Sequence, residues 1–307
     1  MASPDNEQCG FYDPATGIVR DIEIAAPPHG TQFRETNHTA VLLPLLPGND
    51  YRPTVLFLGM DGAHRITLNP DNLDPPPVWQ PTSVPRPLQI SQPLRRHSTA
   101  TILPTGDVLF SGGINHPAIN GLPDEDAVLH GEIYHPGFDW SANEIDSSQE
   151  DWTTTRPASV PRNYHSVALL LPNGRVLTAG SNLDGQAGGN SVKEYRIEIF
   201  CPDYDTDTNR PVIFQAPDSL SYGDSFQINA SPADRIERVA LMRCGSATHA
   251  WDGDQRYVGL SFTNTNNGVI MATAPPDGSI APPGPYMIWV IDDRNRPCVL
   301  APFVILN

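Results

Sequence analysis

Three segments of the chain repeat one pattern of hydrophobic and polar positions. Each begins at a histidine followed by Ser or Thr, continues as an apolar run to a turn containing Pro, and resumes as a second apolar run that stops at Gly. The histidines are His38, His97 and His165, which lie 59 and 68 residues apart. Since short apolar runs bounded by turn residues are typical of strands, each segment predicts a β-hairpin.

Further short apolar stretches follow the second and third hairpins, at residues 131–136 and 197–202, and residues 11–14 resemble them. They predict outer strands of the same sheets. A repeat of roughly 60 residues with a glycine at the end of each hairpin is typical of kelch-type propeller blades. We therefore expect an all-β chain whose residues 1–205 form a partial kelch-type β-propeller. Its three units, with at most a partial fourth, are fewer than the four to eight blades that close a ring.

The pattern changes at the polar stretch 203–207, which we interpret as a linker. Beyond it, turn residues separate five predicted strands, at residues 225–229, 236–242, 256–262, 268–273 and 286–291. Short strands with this spacing are typical of a β-sandwich. Residues 206–307 are therefore predicted to form an immunoglobulin-like β-sandwich.

Composition narrows the classes of function. The chain has 33 Pro and 24 Gly among 307 residues, which excludes a helical bundle because interior prolines break helices. Its formal net charge of −16 argues against binding nucleic acid and against an anchor on anionic membranes. No apolar run is long enough to span a bilayer, and the first residues show no signal peptide. The four cysteines are too widely spaced for a zinc site, and we expect Cys201 and Cys244 to be buried.

Several common site motifs are absent from the sequence, and two informative places remain. There is no Gly-x-Ser-x-Gly elbow, no Gly-x-x-x-x-Gly-Lys loop and no His-Glu-x-x-His motif. Tyr164 directly precedes the histidine of the third repeat, and the polar loop 245–256 carries His249 between two apolar strands. Such a loop can deliver one histidine to another part of the molecule. Because neighbouring strand residues point to opposite faces, Tyr164 and His165 can share a ligand only where the strand begins irregularly.

These two places together resemble a known family. Residues 162–166 read Arg-Asn-Tyr-His-Ser and are followed by an apolar run and the turn Pro-Asn-Gly-Arg-Val. Residues 247–249 read Ala-Thr-His, 84 residues after His165, and residues 254–256 read Asp-Gln-Arg. The arrangement is similar to that of the galactose oxidase and glyoxal oxidase family of copper radical oxidases, over roughly residues 85–307. The resemblance implies a kelch-type propeller followed by an early-set domain of immunoglobulin type.

The resemblance also implies a chemistry for the site. It makes His165 and His249 the imidazole ligands of copper, and Tyr164 both the axial ligand and the base that accepts the proton of the alcohol. Imidazole suits copper, and a phenolate beside the metal can take a proton. The implied reaction oxidises a small alcohol, aldehyde or carbohydrate substrate and reduces O2 to H2O2. An extracellular, secreted protein is implied as well.

The second part of that family's cofactor has no counterpart that we can identify. The family uses a radical tyrosine cross-linked to a cysteine. Cys9 and Tyr12 are close in sequence, but Tyr12 belongs to an outer-strand pattern, so the Tyr-Cys radical cofactor is not identifiable in this chain. We therefore expect the copper half of an oxidase, which depends on propeller blades from another segment for the radical half.

The remaining residues of interest have structural interpretations. We interpret His38 and His97 as histidines that bond between neighbouring blades, Trp251 as a packing residue and Asp252 as a solvated loop carboxylate. The alternative function is a non-catalytic carbohydrate- or protein-binding protein in which the copper ligands are relics. A third alternative is a fragment that does not fold stably. Titration with Cu(II) separates these alternatives.

Overall fold

The computed structural model consists almost entirely of β-strands. It describes residues 2–3, 8–13, 16–25, 39–59, 62–69, 72, 74–91, 93–115, 127–183, 192–249, 251–265 and 268–307, so His38 lies outside the described residues. Within these ranges the helices are four short 3-10 turns, Pro47–Asn49, Ser147–Gln149, Asp203–Thr206 and Ala233–Arg235. The stretch predicted as a linker thus contains one helical turn. None of the described residues forms a helix with the length and hydrophobicity needed to cross a membrane.

The first sheet joins three antiparallel strands near the N-terminus. They are β1 (Ala2–Ser3), β2 (Gln8–Asp13) and β3 (Ile18–Ala25), in the order β1-β2-β3. The strand expected at residues 11–14 is therefore present as part of β2.

The three repeated segments form three antiparallel sheets, which we call blades one, two and three. Blade one orders β4 (Thr39–Leu42), β5 (Thr54–Gly59), β6 (Gly62–Thr67) and β7 (Gln80–Pro81). Blade two orders β8 (Thr99–Ile102), β9 (Val108–Ser111), β10 (His130–His135) and β13 (Asp151–Pro157), with the small hairpin β11 (Phe138–Asp139) and β12 (Glu144–Ile145) between its last two strands. Blade three orders β14 (Val167–Leu170), β15 (Val176–Ala179) and β18 (Glu198–Phe200), and β16 (Asn182–Leu183) pairs with β17 (Val192–Lys193) before β18. The first two strands of each blade are the hairpin predicted from the repeat.

Blade two buries both of its faces. Because successive strand residues point to opposite faces, Phe110 and Leu109 of β9 project to opposite sides. Phe110 belongs to the main core cluster together with Leu56 of blade one. Leu109 packs in a second cluster with Ala168 and Val176 of blade three. Full burial stabilises such side chains by about 1.5–3 kcal/mol each, so these contacts hold the three blades side by side.

Blade three, in contrast, has one face that is only partly covered. Ala168 and Val176 point toward blade two, and the next residues along the strands point away from it. On that far side Leu169 pairs with Leu177, and Leu177 pairs with Ile199, so the three form one apolar row across the sheet. Ile199, on the edge strand β18, is 43% exposed. The far face of blade three is thus apolar but not covered as the faces of blade two are.

Residues 212–306 form the two sheets of an immunoglobulin-like sandwich, which confirms the fold class predicted from the sequence. One sheet orders β19 (Val212–Gln215), β21 (Ser225–Ser231), β27 (Val269–Thr273) and β26 (Phe262–Asn264). The other orders β20 (Ser219–Leu220), β29 (Phe303–Leu306), β28 (Gly284–Asp292), β22 (Ile236–Arg243) and β25 (Arg256–Leu260). Its core includes the fully buried side chains of Ile228, Ile270 and Trp289. A hairpin of β23 (Ala247–Thr248) and β24 (Trp251–Asp252) projects between β22 and β25.

The predicted burial of two cysteines is wrong. Cys201 is exposed because it follows the edge strand β18, which has no further described strand beside it. Cys244 is only partly buried, at the point where β22 ends and the projecting hairpin begins. Cys298 is the buried cysteine among the described residues, and burial raises the pKa of its thiol to about 12.

The sandwich is joined to blade one through the edge of one of its sheets. Leu45, just after β4, forms a parallel bridge with Val258 of β25. Its amide donates to the carbonyl of Tyr257 at 3.0 Å, and its carbonyl accepts from the amide of Gly259 at 2.8 Å. This bridge fixes β25, and with it the hairpin that precedes β25, against the blades.

Candidate metal centre

The turn before β14 carries Tyr164 and His165. His165 has a φ of 64°, in the left-handed region, and the strand itself begins only at Val167. A left-handed residue breaks the alternation of side chains along a strand, so these neighbours project to the same side. Their rings stack, with 3.8 Å between centroids and 30° between planes. The structure therefore has the irregular strand start that a shared ligand requires.

The residues that follow β9 in blade two clamp the backbone of this turn. The amide of Gly113 donates to the carbonyl of Arg162 at 2.7 Å. Gly112 has a φ of 64°, and a Cβ there would lie 2.5 Å from the same carbonyl oxygen, so this close approach requires glycine. From the other side, the Arg162 guanidinium donates to the carbonyl of Gly180, which follows β15 of blade three. Asn163 is 1% exposed, which shows how closely the turn is enclosed.

The hairpin of β23 and β24 delivers His249 from the sandwich. His249 lies at the tip with a φ of 52°, and its side chain is exposed. Below the tip, Oδ1 of Asp252 accepts hydrogen bonds from the amides of Ser246, Asp254 and Gln255, at 2.9, 3.2 and 3.1 Å. One carboxylate oxygen thus organises the base of the hairpin, and charge-assisted bonds of this kind are among the stronger hydrogen bonds.

Two further features seat the hairpin against the blades. The side-chain oxygen of Gln255 accepts from the amide of Ile102 at 2.9 Å, and its nitrogen donates to the carbonyl of Ala100 at 2.7 Å, so it pairs with β8 as a backbone would. Gly245 leaves room for the carboxylate of Asp252, because a Cβ there would lie 2.1 Å from Oδ2. The hairpin therefore reaches the inner strands of blades two and three, where it contacts both β8 and β14.

The three residues predicted from the sequence meet at this point. The rings of His165 and His249 lie 4.5 Å apart at 83°, and those of Tyr164 and His249 lie 6.0 Å apart at 69°. Oγ1 of Thr248 is 2.7 Å from Nδ1 of His249. Because this contact occupies Nδ1, Nε2 of His249 is the nitrogen available to a metal when Nδ1 carries the proton.

This set of donors fits copper. Imidazole nitrogens suit copper, and the phenol oxygen of Tyr164 adds a third donor of a different kind. Within the part of the chain that the structure describes, no group of three or more His, Cys, Asp and Glu side chains could hold a metal ion. Tyr164 is therefore the described side chain that can join His165 and His249 as a third protein ligand, and such a donor set differs from that of the usual zinc sites.

Buried charges fix residues 86–95, the segment that leads into the first strand of blade two. Arg86 and Arg95 both pair with Glu132, at 2.9 and 2.7 Å, and all three side chains are fully buried. Burial lowers the pKa of Arg95 to about 10, although the charge of Glu132 opposes the shift. Burial also lowers the pKa of Arg162, against the charge of Glu198. Breaking a buried pair of this kind costs about 3–5 kcal/mol, so the segment is firmly placed.

His97 also lies at the site, where sequence reasoning assigned it only a structural role. It is 2% exposed, and its ring centroid is 5.0 Å from that of Tyr164 at an angle of 60°. Its φ of 59° nearly equals that of His165, and it takes the same position at the start of blade two that His165 takes in blade three. The repeat was the signal, because equivalent positions of neighbouring blades end on the same side of the fold.

Other residues differ from their predicted roles. Trp251, predicted to pack, is 47% exposed, because it lies beside the tip of a two-stranded hairpin. Asp252, predicted to be solvated, is 9% exposed and binds three amides. Tyr12, in contrast, lies in a strand as predicted and is 51% exposed. The side chain of Cys9 lies outside what the structure describes.

Comparison with known proteins finds two family models on the chain. The glyoxal oxidase N-terminus model matches residues 73–204, and the galactose oxidase-like early set domain matches residues 210–301. Aldehyde oxidase GLOX of Vitis pseudoreticulata is 33% identical over 231 residues, which are 71% of this chain and 41% of that protein. Galactose oxidase of Gibberella zeae is 31% identical over 245 residues, 77% of this chain and 32% of that protein. The chain thus spans less than half the length of these relatives.

A solved structure of a fungal alcohol oxidase in complex with copper is similar in fold. The match has a TM-score of 0.67 and 22% identity, and it covers 91% of this chain and 56% of that one. At this identity it supports the arrangement of strands alone. The two family models together cover blades two and three and the sandwich. The chain belongs to the galactose oxidase and glyoxal oxidase family.

Proposed function

We propose that this chain binds copper through Tyr164, His165 and His249 and forms the copper-binding half of an oxidase of primary alcohols or aldehydes. The observation that carries the proposal is the meeting of three metal-binding side chains from two parts of the fold, 84 residues apart in sequence. Both histidines sit on left-handed backbone, a strained conformation that persists only where the surroundings enforce it and that clusters at functional sites. The names of the relatives support the same reaction class.

Each residue has a defined task in this proposal. His165 and His249 bind the metal through ring nitrogens, and for His249 this nitrogen is Nε2, since Thr248 occupies Nδ1. Tyr164 supplies a phenol oxygen as the third ligand and, when deprotonated, accepts the hydroxyl proton of the substrate. Bound copper supplies a one-electron acceptor and a Lewis acid. The proposed substrate is a small alcohol, aldehyde or carbohydrate, and the proposed location is extracellular.

The balance of electrons shows what else the reaction needs. Converting a primary alcohol to an aldehyde while O2 becomes H2O2 moves two electrons and two protons from the alcohol to O2. Copper accepts only one electron, so a second one-electron group is required, and the Tyr-Cys radical of the family is not identified here. We propose that this group comes with further propeller blades. The outer part of the apolar row on the far face of blade three, at Leu177 and the 43% exposed Ile199, supports this, because it has the character of a face that another blade covers.

The test is calorimetric titration of the metal-free chain with Cu(II), with H2O2 assayed in parallel on galactose and methylglyoxal. We expect one tight site, weakened at least about 100-fold in the double variant His165→Ala/His249→Ala. The matched control is His130→Asn/His135→Asn, which also removes two histidines but lies on β10, and it should bind as the unaltered chain does.

The possible results separate the functions. Equal affinity in the unaltered chain and in the site variant would overturn the copper site. Copper binding that depends on both histidines, without peroxide even when a segment carrying further propeller blades is added, would favour the non-catalytic binding protein. Peroxide formation only with the added blades would support the divided oxidase.

A further inference from the structure

His97 is held in place as firmly as the three residues of the candidate copper site. The residue before it, Arg96, exchanges two backbone hydrogen bonds with Ile114, at 2.9 and 2.8 Å. The residue after it, Ser98, accepts a hydrogen bond at its carbonyl from the hydroxyl of Thr39 in blade one. Both flanking residues are therefore fixed, and the left-handed backbone of His97 between them directs its side chain inward.

The same short segment of blade two holds both His97 and Tyr164. Ile114 pairs with Arg96, next to His97, and the adjacent Gly113 donates to the carbonyl of Arg162, two residues before Tyr164. The two turns are thus bound to consecutive residues of one strand end. This arrangement explains why the rings of His97 and Tyr164 meet, and it fixes the distance between them.

The contact has the geometry of a packing contact between rings. The centroids are 5.0 Å apart and the planes are inclined by 60°, which is an edge-to-face arrangement. His97 is not part of a three-histidine metal site, since the described residues contain no such cluster. The His165 ring stacks on Tyr164 at 3.8 Å, so Tyr164 has one histidine stacked on it and another in edge contact.

We propose that His97 is a positioning residue for Tyr164: its ring holds the Tyr164 ring in the orientation that brings the phenol oxygen to the same point as His165 and His249. The inference rests on the proposed copper site, which it extends to a fourth residue. The backbone clamp does not restrict χ1 of Tyr164, and rotation about χ1 would carry the phenol oxygen away from the two histidines. His97 restricts that rotation.

The experiment compares variants that lack the ring of His97 with one that keeps an aromatic ring. His97→Asn removes the ring but keeps a residue that tolerates left-handed backbone, and His97→Phe keeps an aromatic ring. His97→Gly is a second ring-free variant in case His97→Asn does not fold. The matched control is His130→Asn, a histidine of the same blade that bonds to the carbonyl of Thr155.

Two readouts are used, one with copper and one without. Cu(II) affinity should fall about 10- to 100-fold in His97→Asn, stay within about threefold in His97→Phe, and not change in His130→Asn. In the metal-free chain labelled with ¹³C-tyrosine, the ring signals of Tyr164, assigned by their loss in Tyr164→Phe, should shift and broaden in His97→Asn and largely return in His97→Phe.

The results distinguish this inference from the copper site itself. If the unaltered chain binds Cu(II) through His165 and His249 and His97→Asn binds equally well, the role of His97 is wrong and the copper site stands. If the unaltered chain does not bind Cu(II), the copper site is wrong, and the ring signals alone decide whether His97 holds Tyr164. Unchanged Tyr164 signals in a folded ring-free variant would overturn the proposal in either case.

Discussion

The two halves of the candidate copper site are stabilised in different ways. The turn 162–166, which carries Tyr164 and His165, is enclosed between blades two and three and is held mainly at its backbone, at the carbonyl of Arg162. The hairpin 245–255, which carries His249, projects from the sandwich and is held by the side chains of Asp252 and Gln255. One half is a property of how two blades pack, and the other depends on a few polar side chains.

This difference has consequences for mutation. A backbone clamp tolerates changes of nearby side chains but not an added atom at the point of closest approach. A side-chain clamp can be loosened one group at a time, and each group has a conservative substitution as its control. Mutations in the two halves should therefore differ in the size of their effects.

The backbone-held half should be most sensitive at Gly112. A methyl group in Gly112→Ala would meet the carbonyl of Arg162 at 2.5 Å, on backbone with a φ of 64°. We expect the free energy of unfolding in urea to fall by about 3 kcal/mol, the sum of left-handed strain and the displaced turn. Gly223→Ala is the matched control, because Gly223 has a φ of 75° with nothing within 4 Å of its Cβ position, and it should lose only about 1 kcal/mol. Equal losses at the two sites would show that the clamp is not tight.

The side-chain-held half should respond next at Asp252. Replacing it in Asp252→Ala removes the acceptor of three amide hydrogen bonds, so unfolding should become easier by about 2 kcal/mol, as measured by urea denaturation. Asp254→Asn, in the same hairpin but with its side chain 47% exposed and 3.6 Å from Arg243, should stay within about 0.5 kcal/mol of the parent. An unchanged free energy of unfolding in Asp252→Ala would show that this carboxylate does not hold the hairpin that carries His249.

A smaller effect is expected at Thr248, whose hydroxyl meets Nδ1 of His249. Thr248→Val keeps the shape but loses this hydrogen bond, and Cu(II) affinity measured by calorimetry should fall about tenfold, or about 1.4 kcal/mol. Thr248→Ser keeps the hydroxyl and should bind nearly as well as the parent. If serine and valine weaken binding equally, the hydroxyl does not orient His249.

The smallest effect lies outside both halves, at His135. Burial of its imidazole favours the neutral form, but the hydrogen bond and charge of Asp107, with the charge of Asp151, outweigh burial and raise the pKa of His135. A raised pKa stabilises the fold below the unfolded-state pKa of about 6.5, and this contribution disappears as the pH rises through the folded value. Because the pair is partly exposed, we expect it to contribute less than about 1 kcal/mol. Urea unfolding at pH 5.5 and 8.5 should show a larger loss of stability in His135→Gln, relative to the parent, at the lower pH; an equal loss at both would contradict the raised pKa.

The sequence predicts the features that depend on local pattern. The hairpins of the blades, the strands of the sandwich and the turn before β14 follow from apolar alternation and turn residues, which act over a few positions. The meeting of Tyr164 with His249 came from family resemblance, because no local rule joins residues from two domains. The role of Asp252, the exposure of Cys201 and the approach of His97 to Tyr164 depend on which elements become neighbours in space, so the sequence alone did not predict them.

The central claim is that one copper ion is shared by the two halves, and counting its nitrogen ligands tests this most directly. Electron–nuclear double resonance of the Cu(II)-loaded chain should show two imidazole nitrogens. Either His165→Ala or His249→Ala alone should reduce the count to one. A count that stays at two in both variants would mean that copper binds elsewhere, and the shared site would be contradicted.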